Sequence, residues 1–212
     1  MYDDMIPAAP AIHIQRIQDV HGTSHATNFY ASAEETFQGQ WIMRIRTPTS
    51  ILRDWGSGDI GSLVRHANNP RVAAMMRDGF PSPYTHEDAR RFIDLATTPG
   101  PHLFLAIEVD GKACGGIGIH PLEDVRRRSA EIGYWLSESC WGRGIATDAV
   151  RAIVPVAFGT FDIIRLQAGI FSSNRASMRV LEKCGFVREA VHTNAITKNG
   201  MTMDEIVYVC LQ

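Results

Sequence analysis

The chain has 212 residues, 45% of them hydrophobic, and a formal net charge of −2, which fits one globular domain with room for an extension and offers no basic field for direct contact with nucleic acid. Its four cysteines, Cys114, Cys140, Cys184 and Cys210, lie far apart with no Cys-x-x-Cys pair, which argues against zinc and for reduced thiols in a cytoplasmic protein. No apolar run approaches the length of a membrane span, and the chain does not open on the basic-then-apolar pattern of a signal peptide.

Residues 1–42 stand apart. Ala8-Ala9-Pro10, His21-Gly22-Thr23-Ser24-His25 and Ala31-Ser32-Ala33 are small and polar with weak periodicity. They are expected to be a weakly structured extension or an arm that docks on a partner, with Met43 as an alternative start. A folded domain is expected over 43–212. Ser50–Arg53 reads as its first strand, and Asp59–Ala67 and Pro70–Arg77 as two short helices. Phe80-Pro81-Ser82-Pro83-Tyr84 is a loop. Thr85 caps a helix from about His86 to Ala96, with Glu87 and Asp88 favourable in its first turn. Strands at Leu103–Val109 and Ala113–His120 flank Asp110-Gly111, a hairpin signal. Arg126-Arg127-Arg128 reads as a solvated turn, with contact to an acidic acceptor peptide as the alternative. The eight histidines are scattered, none at metal spacing, and read as surface or core residues; no metal is expected.

Ala130–Leu136 reads as a strand and Asp148–Val154 as a helix. Between them runs Trp141-Gly142-Arg143-Gly144-Ile145-Ala146-Thr147. Glycine lets backbone approach a ligand closely, and a helix N-terminus presents unpaired N–H groups with partial positive charge. Together they suit a pyrophosphate. The turn lacks the lysine of a P-loop and the third glycine of a dinucleotide fingerprint. A tight turn with no ligand is the plain alternative. Further on, a strand at Leu166–Phe171 precedes Asn174, a good helix cap. Met178, Leu181 and Cys184 share one face of that helix, and Gly185 is placed to end it. Two terminal strands follow, turned by Asn199-Gly200.

On three segments, Glu131–Leu136, Trp141–Thr147 and Asn174–Phe186, the chain resembles the GNAT superfamily of acyl-CoA-dependent N-acetyltransferases, and within it the Rim-type branch that acetylates ribosomal-protein N-termini. The resemblance runs from about Thr47 to Gln212. It implies an α+β fold, with a central mixed, mostly antiparallel sheet splayed after its fourth strand (here the Glu131 strand) and helices on both faces. It implies acetyl-CoA as co-substrate and a primary amine as acceptor, either a protein N-terminus or a small molecule. Direct transfer in a ternary complex is expected, from a monomer or homodimer. A non-catalytic acyl-CoA-binding module of the same fold is the alternative. Two positions depart from the superfamily pattern. Trp141 stands where Gln or Arg is usual, though Trp-Gly-x-Gly is common in the Rim-like branch. Leu181 stands where many members carry a tyrosine acid.

The resemblance assigns roles residue by residue. Backbone N–H groups of Arg143, Gly144, Ile145, Ala146 and Thr147 would hold the pyrophosphate. The strand-end amide near Leu136 would polarise the thioester carbonyl. Asn174 and Ser177 match positions that contact the cofactor, and Ser177 is a candidate donor to the leaving sulfur. Glu131 is the candidate base, with a surface-facing strand residue as the alternative. Phe80 and Tyr84 belong to a loop that lies near the acceptor in the Rim-like branch.

Overall fold

The computed structural model describes residues 30–35 and 41–212. The remainder of the predicted extension, 1–29 and 36–40, lies outside the described residues. In chain order the elements are β1 (Tyr30–Glu35), β2 (Trp41–Arg46), β3 (Ile51–Asp54), α1 (Ile60–Ala67), α2 (Pro70–Ala73), α3 (His86–Thr97), β4 (Leu103–Val109), β5 (Lys112–Pro121), β6 (Ser129–Leu136), α4 (Ile145–Thr160), β7 (Arg165–Phe171), α5 (Arg175–Lys183), β8 (Val187–Lys198) and β9 (Met201–Leu211). They build one nine-stranded sheet in the order β1-β2-β3-β4-β5-β6-β7-β9-β8. Every neighbouring pair is antiparallel except β6 and β7. No helix among the described residues is long and apolar enough to cross a membrane.

The period-two alternation of the strands sorts their side chains onto two opposite faces. Leu105, Ile107 and Val109 of β4 and Ala130 and Ile132 of β6 join Val150 and Ile153 of α4 and Leu181 of α5 in one core. On the other face Ala106 and Phe104 meet Leu63 and Ala67 of α1 and Ala89 and Ile93 of α3, with Trp55, Tyr84 and Trp135. The result is the α+β arrangement with helices on both faces.

Local chemistry accounts for most element ends. Thr85 and Asp88 form a capping box on α3, two helix-end donors satisfied reciprocally. Asp110 and Gly111 turn the β4–β5 hairpin with φ of +50° and +75°, the primed turn that matches strand twist. Three expectations change. The strand at Ile51 is third in chain order, because β2 pairs with it and β1 pairs with β2; the boundary expected at 42/43 falls inside β2. The helix expected over Pro70–Arg77 ends at Ala73, since Met75 and Met76 donate three residues back, to Val72 and Ala73. Finally, α4 starts at Ile145 rather than Asp148, so its N-terminus abuts the glycine turn.

Registered β6–β7 pairing is limited to Ser129–Arg165, Ala130–Leu166 and Glu131–Gln167. Beyond Glu131 the edge of β6 that faces β7 has no registered strand partner, and the sheet opens into a cleft.

Candidate functional site

Gly142 and Gly144 both have left-handed backbones, with φ of +73° and +81°. Such residues on either side of Arg143 turn successive N–H groups toward one side, an anion nest. The first bond of α4 runs from the Asp148 N–H to the Gly144 carbonyl at 3.0 Å. The N–H groups of Ile145, Ala146 and Thr147 therefore lack helical partners. Nothing lies within 4 Å of where a Cβ would sit at either glycine, which is room for a bulky anion. The side chains of Ile145 and Thr147 are buried, so these residues meet a ligand through backbone, while Arg143 is exposed. Trp141 braces the turn. Its indole N–H donates to the Leu136 carbonyl at 2.8 Å, and the Arg71 guanidinium lies 5.4 Å over its ring. Cys140 is buried beneath the turn as a packing group. The neighbouring Cys114 thiol is pushed up to about 11, chiefly by burial.

Across the cleft, Asn174 caps α5 by accepting from the Ser177 N–H at 3.1 Å, which leaves its side-chain NH2 for a ligand. The Ser177 hydroxyl lies 2.7 Å from the Tyr134 hydroxyl. Burial raises the Tyr134 pKa well above the usual phenol range, so Tyr134 keeps its proton beside Ser177. Leu181 is fully buried in the core. Leu136, the predicted oxyanion position, ends β6 on the open edge of the cleft.

Glu131 lies on the opposite face, at the apex of the cleft. Its carboxylate accepts from the Arg77 guanidinium at 3.1 and 3.2 Å, with the arginine largely exposed. Its cross-strand partner is His120, one of the histidines expected to be plain surface or core. Phe80 and Tyr84 do line a common wall, with ring centroids 5.2 Å apart and Trp135 5.7 Å from Phe80. Burial pushes the Tyr84 hydroxyl up to about 12. A second carboxylate is present on this face, on the far lip. Glu205 lies over Gly169 of β7, where a Cβ would collide with its Oε1, and His192 Nδ1 sits 2.9 Å from its Oε2. The sequence reading missed His120, Tyr134, Arg77 and Glu205. Alternation along β5 and β6 carries the signal for the first two, but only once the β5–β6 register is known. Arg128, one of the three consecutive arginines, pairs with Asp162 at 3.1 Å.

His120 makes a test of this geometry. Burial, with help from His102 and Arg77 and against the pull of Glu131, lowers its pKa from the ordinary 6.5. A depressed folded value means the unfolded chain protonates first. The stability that neutral His120 contributes is therefore present above about 6.5 and lost as pH falls through its folded value. Between pH 7.5 and 5, the melting temperature of the native protein should fall more than that of His120→Gln. A difference between the two that does not change with pH would remove the half-buried, neutral histidine.

With this geometry in view, comparison with known proteins is informative. Residues 50–187 match the family model described as an acetyltransferase (GNAT) domain. YdaF of Bacillus subtilis, provisionally named a ribosomal N-acetyltransferase, is 36% identical over 103 residues, 49% of this chain and 56% of that protein. The chain thus spans just over half the length of that relative. Mycobacterium smegmatis RimJ, solved in complex with CoA-disulfide, superposes with a TM-score of 0.69 at 24% identity, covering 80% of this chain and 86% of that one. A GNAT-family acetyltransferase from Bacillus anthracis superposes with a TM-score of 0.69 at 22% identity, covering 80% and 98%. The two superpositions establish a shared fold.

Proposed function

The chain belongs to the GNAT acetyltransferase family, and from that premise we propose that it moves an acetyl group from acetyl-CoA to a primary amine, on a protein N-terminus or a small molecule. The observation that carries this reading is the end of β6–β7 pairing at Glu131. It leaves an opening with the glycine nest at one end, Ser177 on one wall and Glu131 at the apex of the other face. The nest suits a pyrophosphate in charge and in room, and Arg143, Gly144, Ile145, Ala146 and Thr147 would hold it. When bound, acetyl-CoA supplies an activated thioester carbonyl.

Each remaining requirement falls to a named group. Unpartnered N–H groups on the open edge of β6, toward Leu136, polarise the carbonyl oxygen. Glu131 accepts a proton from the amine, directly or through water. For an α-amine of pKa about 8 that demand is modest, and for a lysine near ~10.4 it is larger. Ser177, backed by the protonated Tyr134, donates to the departing sulfur. The Ser137 hydroxyl and the Cys114 thiol both reach His66, at 2.9 and 3.8 Å, but both are buried. Among the described residues neither Ser177 nor Cys140 hydrogen-bonds a histidine, so in this reading the amine attacks directly. RimJ was crystallised with a CoA species, which supports the same occupant here.

The second reading, an acyl-CoA-binding module without chemistry, rests on the burial of Leu181 where many relatives carry a tyrosine acid. One experiment separates the two. Thiol release from acetyl-CoA is measured with peptides and small amines, alongside mass spectrometry of the enzyme with acetyl-CoA alone. Amine-dependent release without an acetylated enzyme is the expected result. Binding without release for any amine supports the module, and an acetyl-enzyme that passes its group to an amine overturns direct transfer.

A further inference from the structure

The face that carries Glu131 also carries a cavity of about 420 Å³. Accepting the acetyltransferase reading above, we infer that the acceptor bears an aromatic or bulky apolar group beside its amine, and that this cavity seats that group. Position is the first argument. Gly133, Tyr134 and Trp135 of β6 all line the cavity, and these are the residues just past Glu131 whose other edge opens on the cleft. A group in the cavity would therefore hold an attached amine near the reacting edge.

Chemistry is the second argument. The walls are Trp55, Phe92 and Phe104, closed over by Phe80 and Tyr84. The rings brace one another, Trp55 against Phe92 at 5.2 Å and Phe92 against Phe104 at 5.9 Å, both edge to face. A largely preformed aromatic pocket with few polar groups is the usual form of a site for an apolar ligand. Left to water, a volume of this size would hold about fourteen molecules at ~30 Å³ each, with few partners for their hydrogen bonds. Trp55 Nε1, which lines the wall, has no partner among the described residues, but it is a donor and cannot hold a cation, and the carboxylate at the rim is already committed. Asp88 pairs with Arg91 and with the Thr85 hydroxyl at 2.6 Å. Nothing there is matched to a second cation, which argues against polyamines.

The floor is the third argument. A Cβ at Gly118 would press on Phe104 at 2.9 Å and His120 at 3.2 Å, and one at Gly116 on Trp135 at 2.9 Å and Trp55 at 3.2 Å. Glycine at these places lets the aromatic walls lie against the sheet. At Gly133, by contrast, nothing stands within 4 Å of the missing Cβ. The space above Gly133 is open, and it adjoins Glu131.

The test compares matched amines: 2-phenylethylamine with ethylamine, Phe-Ala-Ala with Ala-Ala-Ala, and spermidine. The aromatic member of a pair should have the higher kcat/KM by about ten-fold, a difference worth ~1.4 kcal/mol. Gly133→Leu, which fills the open space, should erase that preference while leaving acetyl-CoA affinity by calorimetry unchanged. Phe80→Ala, at a half-buried position, should reduce it even if Gly133→Leu does not fold. Calorimetric binding of 2-phenylethylamine to the CoA-saturated protein reads the pocket without turnover. Equal rates across the pairs, or a preference for spermidine, would overturn the inference while leaving the acetyltransferase reading standing. Binding of the aromatic amine with no thiol release from any amine would instead overturn the acetyltransferase reading and keep the pocket.

Discussion

Glu131→Gln should lower turnover at pH 7 by about a hundred-fold or more, the size expected for loss of a general base, with acetyl-CoA affinity unchanged. The substitution keeps side-chain size and removes the charge together with the ability to take a proton. In the resting site the carboxylate is engaged by Arg77, whose side chain is 71% exposed. Exposed ion pairs are worth about 0–1 kcal/mol, so an arriving amine can displace this one. The deficit should shrink as pH rises toward the amine pKa, because neutral amine is then supplied by solvent. Ser177→Ala should cost less, since a CoA thiolate is a tolerable leaving group near neutral pH. It should also lack that pH trend. Steady-state rates from pH 6.5 to 9.5 decide the matter; native turnover of Glu131→Gln at pH 7 would take Glu131 out of the mechanism.

Gly144→Val should weaken acetyl-CoA binding by ten-fold or more, on the order of 1.4 kcal/mol. Two costs add. The backbone at +81° strains a residue with a Cβ by about 1–3 kcal/mol. The new side chain also enters the open space over the nest. Gly111→Val is the control, since Gly111 has φ of +75° in the β4–β5 hairpin, away from the turn. It carries the strain without the obstruction and should keep native affinity. Calorimetry on both proteins below their melting temperatures gives the comparison; an unchanged Kd for folded Gly144→Val would place the pyrophosphate elsewhere.

What the sequence made legible was local. The cap at Asn174, the capping box at Thr85 and the Asn199-Gly200 turn, with φ of +51° and +76°, depend on residues within a few positions of one another. The glycine nest was visible for the same reason. The cross-strand partners were not visible. His120 faces Glu131 only because the loop between β5 and β6 sets that register. Glu205 reaches Gly169 only through the β7–β9 pairing. Tyr134 meets Ser177 only because α5 packs over the end of β6. Nothing in residues 70–77 announces that α2 stops at Ala73, since Val72 to Met76 are all tolerable in a helix. The strand character of Tyr30–Glu35 was likewise hidden in a stretch of small and polar residues.

The short β6–β7 seam has one more consequence. Registered pairs at Ser129, Ala130 and Glu131 join two leaves, β1–β6 and β7–β9, each antiparallel within itself. Docking the leaves closes a loop through α4 and comes with the entropy of that closure, while the registered strand pairs that hold it stop at Glu131. The seam is then a natural place for partial opening while each leaf stays folded. A molecule lying in the cleft touches both leaves and acts as a rivet. Its concentration would set how often the sheet parts, as for any ligand held only by the closed form.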